Sequence, residues 1–378
     1  MRKILTVILM LSLSTAYAGN YAYQQSGKVS FGWQSSDRWA LFTTKGTLMP
    51  HTVVATNSTD NHYITTQCEG WAHTAQSTYY GGYPFAEQYV YMQGQGQPYT
   101  ALPIAYTGQT QSSNGNTEHL ASCDFMTAHG TATGNDFPIS YTHLGSILRI
   151  AAYVPEDKTF SSLTLSAKDN SACFVSKATM NATNNILSAT ETVATATLTL
   201  SDIVVEAGDS LVAYMMLPPT NLSGKAIMIS LNATDGSALQ TYIAGVNIQA
   251  GKVYPVSVGK ENYFKVSAAN NNANNSQEVL SLQTDFVEEN DVTDTQITTA
   301  TAYAPDFTLD TVNKFKPFLL GDVNFDGTVD VTDVVIVVNH YQNNSTDELD
   351  MNVSDINGDG MIDVTDVVGI VNIYQQGK

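Results

Sequence analysis

Between Asp322 and Asp366 the sequence twice sets oxygen-bearing side chains at the spacing of a twelve-residue cation loop. In the first copy Asp322, Asn324 and Asp326 take positions 1, 3 and 5. Thr328 offers its carbonyl at position 7, Asp330 stands at 9, and Asp333 closes the loop at 12. The second copy repeats this with Asp355, Asn357, Asp359, the carbonyl of Met361, Asp363 and Asp366. Gly327 and Gly360 fall at position 6, where such a loop must turn sharply. Calcium, a hard cation, takes roughly six to eight oxygen ligands, and each loop supplies about that number. A single Asp-Asn-Gly cluster is a common turn. Here residues 322–342 and 355–375 agree at 14 of 21 positions, which turn formation alone does not require. Position 12 is Asp where an EF-hand has Glu, so its bidentate reach is shorter.

The charge distribution suits the same chemistry. The net charge is −19, and residues 261–378 carry 20 acidic and 4 basic side chains. Such a tail argues against nucleic acid and against anionic membrane surfaces as partners. It suits divalent cations.

The flanks of the loops decide what kind of module they belong to. An EF-hand needs a helix before each loop. KFKPFLL precedes the first, and Pro317 spoils a helix there. NNSTDELDMNVS precedes the second and has no apolar face. After each loop comes an apolar run, VTDVVIVVNHYQ and VTDVVGIVNIYQ. Val334, Val335, Val338 and Tyr341 recur at helical spacing, as do Val367, Val368, Val371 and Tyr374. Most of these valines are expected to pack between the two helices. Valine-rich helices this short form poorly alone, so cation binding and folding of residues 321–378 should be linked.

Two DxNxDGxxxxxD loops, each followed by one helix, resemble a type I dockerin domain over residues 321–378. That resemblance implies two calcium ions, two antiparallel helices and docking onto a cohesin-domain protein. It implies partner contacts at Val331, Thr332, Val338 and Asn339, and at the matching Val364, Thr365, Val371 and Asn372. The copies agree at these positions, which allows a two-fold symmetric binding face.

The longer part of the chain reads as strand and turn. Runs such as SILRIAAYV, SSLTLSA, TATLTLSD, SLVAYMML and VYPVSVG are separated by Gly, Asn, Asp and Pro, the pattern of an all-β sandwich. The expected organisation is a signal peptide at 1–18, β-sandwich domains at 19–150 and 151–260, a linker or connector at 261–320, in which residues 276–318 are either an extended or partly disordered connector or a short strand or two, and the dockerin at 321–378. The two β-domains could equally be lobes of one. The leader has Arg2 and Lys3, an apolar stretch from Ile4 to Leu13, and a small-x-small cleavage site at Ala16-Tyr17-Ala18. No other apolar run is long enough to predict a transmembrane segment. Cys68, Cys123 and Cys173 are too few and too widely spaced for a metal site; at most one disulfide is possible, and buried free thiols are the favoured reading.

No GxSxG, HExxH or CxxC motif occurs. Asp37, Asp60, Glu69, Glu87, Glu118, Asp124, Asp136, Glu156 and Asp157 sit in no motif for paired-carboxylate catalysis. His119 and His143 read as strand or turn residues. Trp33, Trp39 and Trp71, with YYGGYPFAEQYVYMQ, could form a sugar-stacking platform or fill a core, and the core is favoured. No catalytic residue is assigned.

Several phrases in the β-rich body resemble the fimbrillin family of bacterial surface proteins. They are His119-Leu120 with Asp124-Phe125-Met126, the strand from His143 to Leu148, and Ala250-Gly251-Lys252-Val253-Tyr254. The resemblance implies transthyretin-like β-sandwich domains, export across a Gram-negative envelope, and a place in pili or as a surface adhesin. The chain departs from such precursors in lacking a lipid-box cysteine and in ending with a dockerin. The function expected is a non-enzymatic cell-surface or secreted adhesin or accessory protein, tethered to a cohesin-bearing partner and presenting a face to a surface glycan or protein. The rival is a dockerin-borne carbohydrate-active enzyme or carbohydrate-binding module in polysaccharide breakdown.

Overall fold

The computed structural model describes residues 20–56, 61–68, 73–74, 78–132, 138–259, 296–297, 299–317, 319–343, 349, 351–357 and 361–376. The expected leader, Trp71, Asp60, Glu69, Asp136, Asp359 and the polar stretch 268–277 lie outside these residues. The described chain is mostly β-strand, with three short 3-10 helices in the body and α-helices only at its C-terminal end.

Seven strands close into a barrel. In spatial order they are Met126–Thr131, Pro138–His143, Thr299–Tyr303, Tyr63–Cys68, Leu48–Thr56, Arg38–Thr43 and Thr78–Tyr83, which pairs back onto the first. A closed ladder leaves no free sheet edge. The interior is aromatic. Trp33 and Trp39 are buried with ring centroids 5.2 Å apart, and Tyr83 and Tyr141 meet Trp33 edge-on at 5.3 and 5.6 Å. Burying one large apolar side chain contributes roughly 1.5–3 kcal/mol, so this cluster adds several such contributions to the barrel's core. Trp33 and Trp39 are therefore core residues. Gly81 keeps the wall thin: a Cβ there would lie 3.0 Å from Leu41 and 3.1 Å from the Tyr141 hydroxyl.

The strand Thr299–Tyr303 lies within the segment expected to be a connector. It runs parallel to Pro138–His143 and antiparallel to Tyr63–Cys68, with Tyr303 opposite Tyr63. Ala300, Ala302 and Ala304 face inward and are buried, the period-two pattern of a strand. Alanine and threonine carry little hydrophobic signal, so only the barrel's need for small inward residues at this seam reveals the strand. Below it, Asp306 accepts from the Phe31 amide at 3.0 Å and meets His62 Nε2 at 2.7 Å.

A second core lies between two further sheets. One orders Ser210–Leu217, Ser146–Tyr153, Lys252–Val258 and Thr308–Leu309. The other orders Ala238–Ala244, Ala226–Ala233, Lys158–Ala167, Thr195–Val205 and Thr110–Gln111. Leu148, Ile150, Phe160, Leu163, Leu198 and Leu231 fill it. A boundary at residue 150 falls inside the strand Ser146–Tyr153. Ile147 belongs to the first core and its neighbour Leu148 to the second, because successive residues of a strand point to opposite faces. Residue 150 therefore sits in a strand buried on both sides, not in a linker. The two halves interlock further: Phe174–Asn181 pairs with Leu102–Ala105 of the first half and sends Ala178 and Met180 into the first core. Cys68 and Cys123 are buried, Cys173 is partly buried, and no disulfide joins them. Among the described residues no helix is long and apolar enough to cross a membrane.

Helices α1 (Val331–Asn343), α2 (Met351–Ser354) and α3 (Val364–Gln376) form a small third unit. Val337 and Ile370, equivalent residues of the two repeats, are fully shielded at its centre beside Val323. Gly369 permits the close packing of α3: a Cβ there would meet Ile356 at 2.5 Å.

Candidate calcium-binding loops

Each loop is organised by its closing aspartate. Asp333 is fully buried, and its Oδ1 accepts from the amides of Val323 at 2.7 Å and Asn324 at 3.1 Å. Its Oδ2 accepts from the amide of Asp330 at 2.9 Å. Asp366 repeats the pattern with Ile356 at 2.7 Å, Asn357 at 3.4 Å and Asp363 at 2.9 Å. The first residue of the loop folds inward as well. Asp322 is fully buried and accepts from the amides of Asp326 at 3.1 Å and Gly327 at 2.9 Å. Gly327 has φ +84°, the left-handed conformation that the sharp turn at position 6 needs.

The ninth residue caps the helix. Asp330 Oδ1 accepts from the Thr332 amide at 2.7 Å and hydroxyl at 2.6 Å, satisfying an N-terminal donor of α1. Asp363 does the same for Thr365 and α3, both at 2.7 Å. Asn324 and Asn357 donate to these same threonine hydroxyls at 3.0 and 2.8 Å. Thr332 and Thr365, implied as partner contacts by the dockerin resemblance, thus have hydroxyls already engaged in closing their loops.

Burial and like charge set the electrostatics of the first loop. Burial pushes the Asp322 carboxyl up to about 7; the charges of Asp333 and Asp326 add to this, and the Gly327 and Asp326 amides oppose it. Burial also works against charge on Asp326, but hydrogen bonds from Thr328 and Asn324 outweigh it and hold that carboxyl below its usual range. The Thr365 hydroxyl and amide lower Asp363. Among the described residues no three acidic, histidine or cysteine side chains converge on a ready cluster. The loops offer instead carboxylates mixed with amide and carbonyl oxygens. That oxygen-only donor set, with a buried carboxylate crowded by like charges, fits a hard divalent cation.

Helices α1 and α3 present matching apolar stripes. Val331 and Val335 are 58% and 49% exposed; Val364 and Val368, their equivalents, are 53% and 55% exposed. Val338 and Val371 are half-buried, and Asn339 and Asn372 are exposed. Helical spacing had grouped Val335 and Val368 with the packed valines, and the structure puts them on the surface. The closing aspartate turns into the unit, so the residue four places on, Val337 or Ile370, shares its face and takes the core.

Sequence reasoning missed Phe325. It stands at position 4 of the first loop, where the second loop has Gly358. Its φ is +64°, a conformation that costs an L-residue about 1–2 kcal/mol. The Lys168 ammonium lies 4.2 Å above its ring, and the Tyr242 ring stands 5.9 Å away at 65°. An aromatic residue where the repeat has glycine was the available signal.

Two histidines of the body are held by partners inside the fold. His143 meets Asp124, and both are buried. His119 Nε2 donates to the Tyr214 carbonyl at 2.8 Å, and its burial lowers its pKa. His143 ends the strand Pro138–His143, and His119 lies in the short 3-10 helix Glu118–Ser122.

Comparison with known proteins bears on both parts. A family model described as "Fimbrillin-like" matches residues 27–277, and one described as "Dockerin type I domain" matches residues 320–372. No curated protein matches. Among solved structures, a putative cell adhesion protein from Parabacteroides distasonis is similar at 10% identity and TM-score 0.37, covering 65% of this chain and 86% of that one. A putative cell adhesion protein from Bacteroides thetaiotaomicron is similar at 12% identity and TM-score 0.33, covering 65% and 88%. The tip fimbrial protein Mfa3 from Porphyromonas gingivalis is similar at 10% identity and TM-score 0.32, covering 58% and 87%.

Proposed function

Because this chain belongs to the fimbrillin-like family and carries a type I dockerin domain, we propose that it is an exported, non-enzymatic adhesin or accessory protein held to a cohesin-bearing partner by a calcium-dependent plug. Each loop holds one calcium ion. The first uses Asp322, Asn324, Asp326, the Thr328 carbonyl, Asp330 and Asp333; the second uses Asp355, Asn357, Asp359, the Met361 carbonyl, Asp363 and Asp366. The cation supplies charge neutralisation, and the chain's own residues orient the loop and launch the helix. The leader at 1–18 directs export, and the β-rich body at the cell surface or in the medium meets a glycan or protein ligand.

The observation that carries this reading is the repeated apolar stripe beside the loops. Val331 and Val335 on α1 match Val364 and Val368 on α3 in exposure. Such a face, bordered by Val338, Asn339, Val371 and Asn372, suits burial against a folded partner. Against the rival enzyme or carbohydrate-binding module, Trp33 and Trp39 are inside the barrel and do not form a platform.

The test is capture of the full chain on immobilised cohesin domains, with calcium and with chelator. Calcium-dependent capture is expected. A calcium-loaded chain that no cohesin holds would overturn the docking role. Turnover of polysaccharide by the body, in a hydrolase screen, would overturn the non-enzymatic one. The body for that screen must run through Pro317, because a fragment ending at 260 omits the barrel strand Thr299–Tyr303.

A further inference from the structure

The route from the body into the dockerin is short and pinned. Phe315 is buried in the second core, 5.7 Å from the Tyr254 ring. The Ala244 amide donates to the Lys316 carbonyl at 2.9 Å, and Pro317 bridges to Ile243. The strand Ala238–Ala244 is the outer strand of its sheet, so this segment covers an edge. Asp322, the first loop residue, follows only five positions after Pro317.

The first loop then turns back onto the same edge. Phe325 lies between the Lys168 ammonium at 4.2 Å and the Tyr242 ring at 5.9 Å. The side chain of Lys316 fills the space above Gly327, where a Cβ would come within 3.1 Å of it. The repeat shows what the loop itself requires. Position 4 of the second copy is Gly358, so an aromatic side chain is not needed to form such a loop. In the first copy a phenylalanine is held at positive φ, and the visible compensation is its packing on the body.

We propose that the first loop is also a fastener: cation binding there sets Phe325 against Lys168 and Tyr242, so the calcium state decides whether the dockerin is presented rigidly on the body or swings from Pro317. This rests on the reading of residues 322–333 as a calcium loop. The second loop, with glycine at the equivalent position, has no such side chain and only holds its helix.

Hydrogen–deuterium exchange on the full chain separates the two readings. In the wild type, calcium should slow exchange in α1 and α3, and also in peptides around Lys168 and over 238–244, by about tenfold. In Phe325→Gly, which installs the residue of the second copy and relieves the backbone, calcium should still protect α1 and α3. The body-side peptides should then exchange as in the chelated wild type. Lys168→Ala should shift them the same way by a smaller factor. Body-side protection that survives Phe325→Gly, or that ignores calcium while α3 responds, would overturn the fastener. If neither helix responds to calcium, the calcium-loop reading itself fails.

Discussion

His143 and Asp124 meet at 2.8 Å, Nδ1 to Oδ1, in the interior of the barrel domain, where both are shielded from solvent. The other imidazole nitrogen lies 2.7 Å from the Pro305 carbonyl, and the Tyr21 hydroxyl donates to the second Asp124 oxygen at 2.7 Å. The network ties the strand Asn20–Tyr23, the strand Pro138–His143 and the segment after Thr299–Tyr303 into one piece. Removing one partner strands the other without compensation. Asp124→Ala is expected to destabilise the body by about 3–5 kcal/mol, read as a drop in the urea midpoint.

The barrel should need its late strand. A chain ended at residue 277, where the family match stops, lacks Thr299–Tyr303 and exposes the facing edges of Tyr63–Cys68 and Pro138–His143. Such edges invite aggregation. A chain ended at 317 is expected to be monomeric with cooperative unfolding, and one ended at 277 to aggregate or unfold. Size-exclusion chromatography and circular dichroism distinguish them.

Calcium stoichiometry should follow the closing aspartates. Asp333→Ala and Asp366→Ala each remove the residue that gathers three loop amides. Each single variant is expected to reduce bound calcium from two ions to one, and the double variant to none, by isothermal titration. Helical signal should fall in step.

Exposed valines should matter to binding and not to folding. Val335→Asp with Val368→Asp alters residues 49% and 55% exposed, so the stability change should stay near 0.5 kcal/mol or less. Calcium uptake should be unchanged, while cohesin capture is lost.

Alkaline pH should unfold the body. Burial raises the Tyr21, Tyr106 and Tyr141 hydroxyls well above their usual range, with Asp124 adding to the effect at the first two. A raised folded pKa means the native state holds its proton longer than the unfolded state. Stability is therefore complete below the unfolded tyrosine value of about 10 and falls as pH rises above it. The Tyr141 hydroxyl is buried with no hydrogen-bond partner. Tyr141→Phe should be neutral or stabilising, by up to about 1 kcal/mol, and should blunt the alkaline loss in thermal melts across pH 8 to 11.

Much of the dockerin was legible because its information is local. Ligand spacing, the glycine turn and the start of each following helix sit within a dozen residues of each other. The one-turn helix Met351–Ser354 before the second loop, where no helix is expected from an apolar face, was not legible. The face each valine takes was less legible: 3.6-residue spacing allows neighbouring stripes, and the inward turn of Asp333 and Asp366 chooses between them. Phe325 gave a signal only through comparison with Gly358.

The sequence by itself determined the chemistry of the cation loops, the loop-then-helix order and the β-rich character of the body, since each depends on residues near one another in the chain. Tertiary structure alone decided that Thr299–Tyr303 closes the barrel, that Ser146–Tyr153 serves two cores and that Phe325 rests on Lys168 and Tyr242. The reason is range. The late strand pairs on one side with residues 163 positions away and on the other with residues more than two hundred positions away, and its alternating Thr and Ala signal little until a closed wall calls for small side chains facing in.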